Sequence, residues 1–216
     1  MGSTAIGIVL GILVGLRHAF EPDHLTAVST LVTETHDPKH GAFLGVLWGL
    51  GHTISLVVVG SILALIGATL PLRIGVVFEL GVAGMLFVLG ARAIHVATHP
   101  RRDHDRAHAH ATHTHTHTGF ARWRPLFVGL VHGLAGSGAL TALVFAQIPG
   151  VAARIVYMVL FGAGSIIGMA IASGVAGAVL QLAVGSAQIR RGLGLATGVT
   201  SIVVGVLWAI PLVVSA

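Results

Sequence analysis

Apolar runs long enough to cross a bilayer alternate along this chain with short polar or helix-breaking segments. A transmembrane helix needs about 20 mostly apolar residues. Six segments reach that length: 4–32, 42–67, 74–97, 125–147, 153–183 and 192–214. Inside them the apolar residues run continuously instead of alternating, which predicts helices and argues against a β-barrel. The separators are 33–41, a turn at Pro71, the long polar stretch 98–124, the Pro149-Gly150 turn and 185–191. The first span breaks its own pattern, with Arg17, His18, Glu21, Asp23 and His24 in its middle.

Composition agrees with the pattern. The 216 residues are 55 % hydrophobic and 9 % charged, with a mean hydropathy of +0.93. A soluble domain carries about 25 % charged residues, so a water-facing surface is excluded. The predicted fold is an all-α polytopic membrane protein. It forms a single membrane domain over 1–216, with a first half at 1–97, a connecting loop at 98–124 and a second half at 125–216. Absence of cysteine excludes disulfides, thiolate metal sites and thiol chemistry.

The net charge of +5 is informative through its placement and does not indicate nucleic acid. The first, third and fifth connections hold Lys39; Arg101, Arg102, Arg106, Arg122 and Arg124; and Arg190 and Arg191. The other two connections hold only Arg73 and Arg154. The positive-inside rule puts the richer connections in the cytoplasm and both termini outside.

The two halves resemble each other. Gly15-Leu16-Arg17-His18 matches Gly129-Leu130-Val131-His132, Leu25-Thr26-Ala27-Val28 matches Leu140-Thr141-Ala142-Leu143, and Trp48-Gly49-Leu50-Gly51 matches Phe161-Gly162-Ala163-Gly164. Three spans per half is an odd number, so the second half enters from the opposite side. Six transmembrane helices in two inverted three-helix repeats are therefore expected, a plan that places a transporter's site near the midplane.

Five ionisable residues within Arg17–His24 are expensive at membrane depth, about 2.5–3.5 kcal/mol each at a helix centre. They must face one another, water or a ligand. Pro22 cannot donate to the carbonyl of His18, which predicts that the first helix is broken at Pro22 and that this carbonyl is freed. Imidazole with carboxylate suits Ni²⁺, Co²⁺, Zn²⁺ or Cu²⁺. The competing reading is a proton relay or an ion-paired cluster, such as Arg17 with Glu21. His52 falls near the middle of the second span, followed by Thr53 and Ser55. His132 occupies the repeat position of His18, followed by Gly133-Leu134-Ala135-Gly136-Ser137-Gly138. His18, Asp23, His24 and His52 are the candidate metal ligands. Glu21, Pro22, Thr53, His132 and Ser137 are candidates for the pathway or for support behind the ligands.

At these residues the chain resembles the nickel/cobalt transporter superfamily. His18-x4-Asp23-His24 is similar to its HxxxxDH signature, Gly51-His52-Thr53 to its second motif, and Val131-His132-Gly133-Leu134 to the start of a third. Within that group it looks most like the small six-span urease-accessory nickel permeases. Glu21-Pro22 stands where many members have Asp-Ala, and Ala135-Gly136-Ser137 where many have Phe-Asp-Thr. The resemblance implies a role for His18, Asp23 and His24 in metal selection and transport, and more loosely for His52. It also implies Ni²⁺ or Co²⁺ as transported substrate, no permanently bound cofactor, and a bacterial cytoplasmic (inner) membrane. Partners would be the metal ion, the lipid bilayer, and cytoplasmic nickel chaperones or urease and hydrogenase maturation proteins.

The connection 98–124 carries His99, His104, His108, His110, His113, His115 and His117. Such tracts bind borderline metals through neutral imidazole, so this segment is expected to be an auxiliary cytoplasmic metal buffer. The chain has no G-x-x-x-x-G-K-[ST] phosphate loop. Ser137 lies in a weak echo of a hydrolase loop with no base within reach, so no catalytic residue is assigned and a non-enzyme is expected. The reading is transmembrane transport of Ni²⁺ or Co²⁺. Uptake is favoured over efflux because an inside-negative potential drives a divalent cation inward, by about 4.6 kcal/mol per 100 mV. Delivery of metal to a nickel enzyme without transport is the remaining alternative.

Overall fold

The computed structural model describes residues 2–32, 37–99, 120–182 and 186–214, and all of its regular structure is helical. The helices are α1 (Gly2–His18), α2 (Pro22–Val32), α3 (Pro38–Ile66), α4 (Leu72–Thr98), α5 (Phe120–Gln147), α6 (Val151–Leu182) and α7 (Ala187–Val214). Over the described residues α3, α4, α6 and α7 are long and apolar enough to cross a membrane, and Val9–His18 is a shorter apolar stretch. The protein is therefore an all-helical membrane protein. Its lipid-compatible faces carry side chains such as Val58, Ile62, Val88 and Val203, all exposed on the bundle.

Local chemistry sets the helix ends. Asp37 caps α3 by accepting from the backbone N–H of Lys39 and His40, each at 3.2 Å, with Pro38 in the first position. Gly67 closes the same helix at φ 66, a left-handed conformation that glycine adopts without a steric penalty. Helices α5 and α7 begin five residues earlier than the apolar pattern predicts, because charged residues such as Arg122, Arg190 and Arg191 adopt helical geometry without contributing hydropathy.

The helices pack as α3 with α6 and α5, α4 with α7, and α1 with α6. Glycines govern these contacts. A Cβ on Gly15 would overlap the carbonyl of Phe161, and one on Gly164 the carbonyl of Ile12. On the other side of the bundle, a Cβ on Gly129 would overlap the carbonyl of Trp48, and one on Gly51 that of Leu126. Gly90 and Gly198 face each other's carbonyls between α4 and α7. Close backbone approach through small residues is how helices associate where lipid removes the hydrophobic drive. Serines add hydrogen bonds across the same seams. Ser55 donates to the carbonyl of Leu130 at 2.7 Å, Ser165 to that of Gly15 at 3.2 Å, and Ser201 to that of Leu86 at 2.8 Å.

These contacts also order the two ends of the bundle. Successive contacts run in the same direction between α1 and α6 and between α3 and α5, and in opposite directions between α3 and α6 and between α4 and α7. One end therefore gathers the start of α3, α5 and α7 and the end of α4, with Lys39, Arg124, Arg190 and Arg191. The opposite end holds Arg73 and Arg154.

The seams make a direct prediction. Gly129→Val and Gly51→Val each force a side chain into a neighbouring backbone, where overpacking costs about 1–3 kcal/mol and occasionally more. Both variants should lose several degrees of melting temperature in detergent, or fail to fold. Gly81→Ala, whose Cβ meets nothing within 4 Å, should match or exceed the parent.

Candidate functional site

The interruption of the first span lies at Ala19–Glu21, directly before Pro22, which is the first residue of α2. Proline suits that place, because its missing N–H is one that a helix start leaves unpaired. The carbonyl of His18 is not freed. It accepts from the N–H of Glu21 at 3.0 Å, while the carbonyl of Arg17 accepts from Phe20 at 3.0 Å. These tight turns end α1 and re-aim the chain, so that His18 and His24 meet with ring centroids 4.4 Å apart. A straight helix would point them about 240° apart.

Four imidazoles converge around this break. His24 lies 5.4 Å from His52 and 4.1 Å from His132, and His18 lies 5.3 Å from His52, measured between ring centroids. His52 and His132 are held by backbone contact, since Gly133 leaves no room for a Cβ against the carbonyl of His52. Trp48 stacks on His24 at 5.5 Å, and Phe161 lies 5.1 Å from His18. His24, His52 and His132 are buried, as is Asp23.

Two carboxylates organise the rings. His18 donates from Nδ1 to Glu21 Oε2 at 3.0 Å. Asp23 accepts from His24 Nδ1 at 3.1 Å and from His132 Nε2 at 2.9 Å. A carboxylate can only accept, so each ring carries its proton on the bonded nitrogen and leaves the other as a lone-pair donor. Those other atoms, His18 Nε2, His24 Nε2 and His132 Nδ1, are buried with no hydrogen-bond partner, as are both nitrogens of His52. Unpartnered buried polar atoms cost about 1–3 kcal/mol each, so this many together make the cluster a candidate binding site.

Two overlapping sets have the spacing of a metal site. One is His18, His24 and His52; the other is Asp23, His24 and His132, and within each set the ligating atoms lie within 4.8 Å of one another. Imidazole nitrogens on opposite sides of a first-row divalent ion sit about 4.2 Å apart, twice a metal–nitrogen distance of about 2.1 Å. Small ring movements close either set on an ion.

The structure thus gathers His18, Glu21, Asp23, His24, His52 and His132 in one place. The Arg17–Glu21 pair weighed from sequence is absent, because Glu21 pairs with His18 instead. Thr53 turns away and donates to the carbonyl of Gly162 at 3.1 Å. Ser137 belongs to α5, but its side chain lies outside the described residues, as do His104, His108, His110, His113, His115 and His117. Trp48 and Phe161 wall the site although only their repeat equivalence was visible in sequence. Glu79 and Arg17 line a cavity of about 420 Å³ that reaches Asp23, His24 and His132. Their polarity within apolar spans was the signal available for both.

No family profile and no solved structure matches the chain. Over 202 residues it is 32 % identical to the urease accessory protein UreH of Bacillus sp. (strain TB-90), an alignment covering 92 % of this chain and 88 % of that protein. Likeness at that level across nearly the whole helical chain identifies it: the chain belongs to the UreH-like family of urease accessory proteins.

Proposed function

We propose that this protein carries a divalent transition-metal ion, Ni²⁺ with Co²⁺ as second choice, inward across a bacterial cytoplasmic membrane. The observation that carries the reading is the convergence of buried, partnerless imidazole nitrogens, three of them on rings braced by carboxylates. Neutral nitrogen donors at this depth suit borderline divalent ions. The similarity to a urease accessory protein favours nickel, in line with the resemblance of the sequence motifs.

His18, His24 and His52 act as the first ligand set, with Glu21 and Asp23 holding the rings of His18 and His24 in the ligating tautomer. His24 belongs to both sets. By turning between them it passes the ion toward His132 while Asp23 follows as a carboxylate ligand. Charge favours the direction: a divalent cation gains about 4.6 kcal/mol per 100 mV moving toward a negative interior.

The wider architecture supports a carrier of six spans in two inverted repeats. The packing of α1 on α6 mirrors that of α5 on α3, residue for residue: Gly15 on Phe161 answers Gly129 on Trp48, and Gly164 on Ile12 answers Gly51 on Leu126. The basic end faces the cytoplasm in this reading, with both termini outside. The histidine-rich connection then stands on the inner side as a buffer that receives metal and hands it to nickel chaperones or maturation proteins.

Radionickel flux into proteoliposomes tests the proposal. His24→Ala should reduce uptake to background, because both ligand sets lose their shared member, and His18→Ala should do nearly the same. Asp23→Asn should cost about 10–100-fold, the usual effect of losing the group that orients a metal-binding histidine. Normal transport by folded His24→Ala would sink the metal-site reading, and lower cellular nickel on expression would reverse the direction. Uptake should fall as pH is lowered from about 7.5 to about 5.5, since a protonated imidazole has no lone pair for metal. Deleting 103–118 should shift the apparent affinity without abolishing flux, which initial rates across a nickel concentration series would show.

A further inference from the structure

The cavity of about 420 Å³ has a polarity along its length. His18, Asp23, His24 and His132 line it near the middle of the bundle. Glu79 on α4 and Trp208 on α7 also line it. Glu79 is seven residues beyond the start of α4 at Leu72, about 10 Å along the axis. Trp208 lies near the end of α7. Both belong to the half of the bundle remote from Lys39, Arg124, Arg190 and Arg191, so the cavity extends from mid-depth into the non-basic half.

Among the described residues the basic half is closely packed. Between α3 and α6, a Cβ on Gly41 would meet the carbonyl of Ser173 at 2.6 Å and one on Gly177 the carbonyl of Asp37 at 3.1 Å. A pocket near that end, lined by Thr30, Arg92 and Arg124 among others, holds only about 30 Å³. That is about the volume of one water molecule. The larger cavity has room for an ion with six waters, at about 30 Å³ each.

The charges in the cavity are set for a divalent cation. Glu21, Asp23, Glu79 and Arg17 line it, a formal charge of −2 with the imidazoles neutral. Among the described residues the Glu79 carboxylate has no hydrogen bond or ion pair. A free carboxylate at this depth is sustained by water, and a low-dielectric cleft of one sign concentrates counter-ions.

We propose that this cavity is the intake vestibule of the carrier and that Glu79 draws a hydrated divalent cation into it from the non-basic face, ahead of the histidines. This rests on the transport reading above and adds the side of access and a residue outside the ligand sets. Glu79 acts through charge on the hydrated ion and is not a ligand of the bound one.

The chain has no cysteine, so single cysteine substitutions give a clean labelling background. In sealed vesicles, the thiol of Glu79→Cys should react with a membrane-impermeant methanethiosulfonate reagent added on one face only. Lys39→Cys, at the basic end, should react only from the other face. Ni²⁺ as the sulfate should slow the labelling of Glu79→Cys. In flux assays Glu79→Gln should raise the apparent KM for Ni²⁺ about 3–10-fold, with the maximal rate within about two-fold of the parent. Glu79→Asp should restore the low KM, and the KM difference should shrink at high ionic strength. Labelling of Glu79→Cys from the same face as Lys39→Cys overturns the proposal, as does labelling indifferent to Ni²⁺ or an unchanged KM in Glu79→Gln. If the parent carries no nickel while one-sided, Ni²⁺-sensitive labelling persists, the vestibule stands and the transport reading alone falls.

Discussion

Backbone-to-backbone contact through glycine is the constraint on which the site depends. Gly129 rests on the carbonyl of Trp48, Gly133 on that of His52, and Gly15 on that of Phe161. Each seam lies beside a residue of the cluster, so the imidazoles inherit their spacing from main-chain packing. Side chains at these glycines would push α3 from α5, or α1 from α6, and ring centroids now 4.1–6.1 Å apart would separate. Burial in a bilayer makes this economical, since lipid gives helices little other reason to associate tightly.

The second dependence is the short break at Ala19–Glu21. An unbroken helix would spread His18 and His24 around its circumference and leave Glu21 and Asp23 facing lipid or neighbouring helices. Two tight turns bring both rings to one side, and each ring then takes a carboxylate close to it in sequence as its hydrogen-bond acceptor. The cost of placing acids and imidazoles at membrane depth is thereby offset within one loop. Asp23 extends the arrangement across the bundle by also accepting from His132 of α5. One carboxylate therefore ties the first half of the chain to the second.

Much of this was legible in the residues. The helical class, the positions of most spans, the presence of a break near Pro22 and the membership of His18, Asp23, His24 and His52 in one site all follow from apolar run length, the rarity of charge at depth and the chemistry of proline. The break directly precedes Pro22, and proline reads equally as the residue that ends one helix or starts the next. Backbone hydrogen bonds decide between the two. From sequence Glu21 has two possible roles, a partner of Arg17 by spacing on a continuous helix and a place in the metal path by chemistry. Once the helix is interrupted, the spacing rule for Arg17 no longer holds.

Span length, the sorting of basic residues and the identity of the site's side chains are properties of local order along the chain. They depend on transfer free energy and on covalent geometry, which sequence states directly. Tertiary structure alone decided three things: that Asp23 accepts from His24 and His132 together, that His24 is common to two clusters with the spacing of a metal site, and that Glu79 and Arg17 share a cavity with them. Each joins residues far apart in sequence through distances of a few ångströms. Such distances follow from how helices seat on one another, and no periodicity within a single helix encodes that.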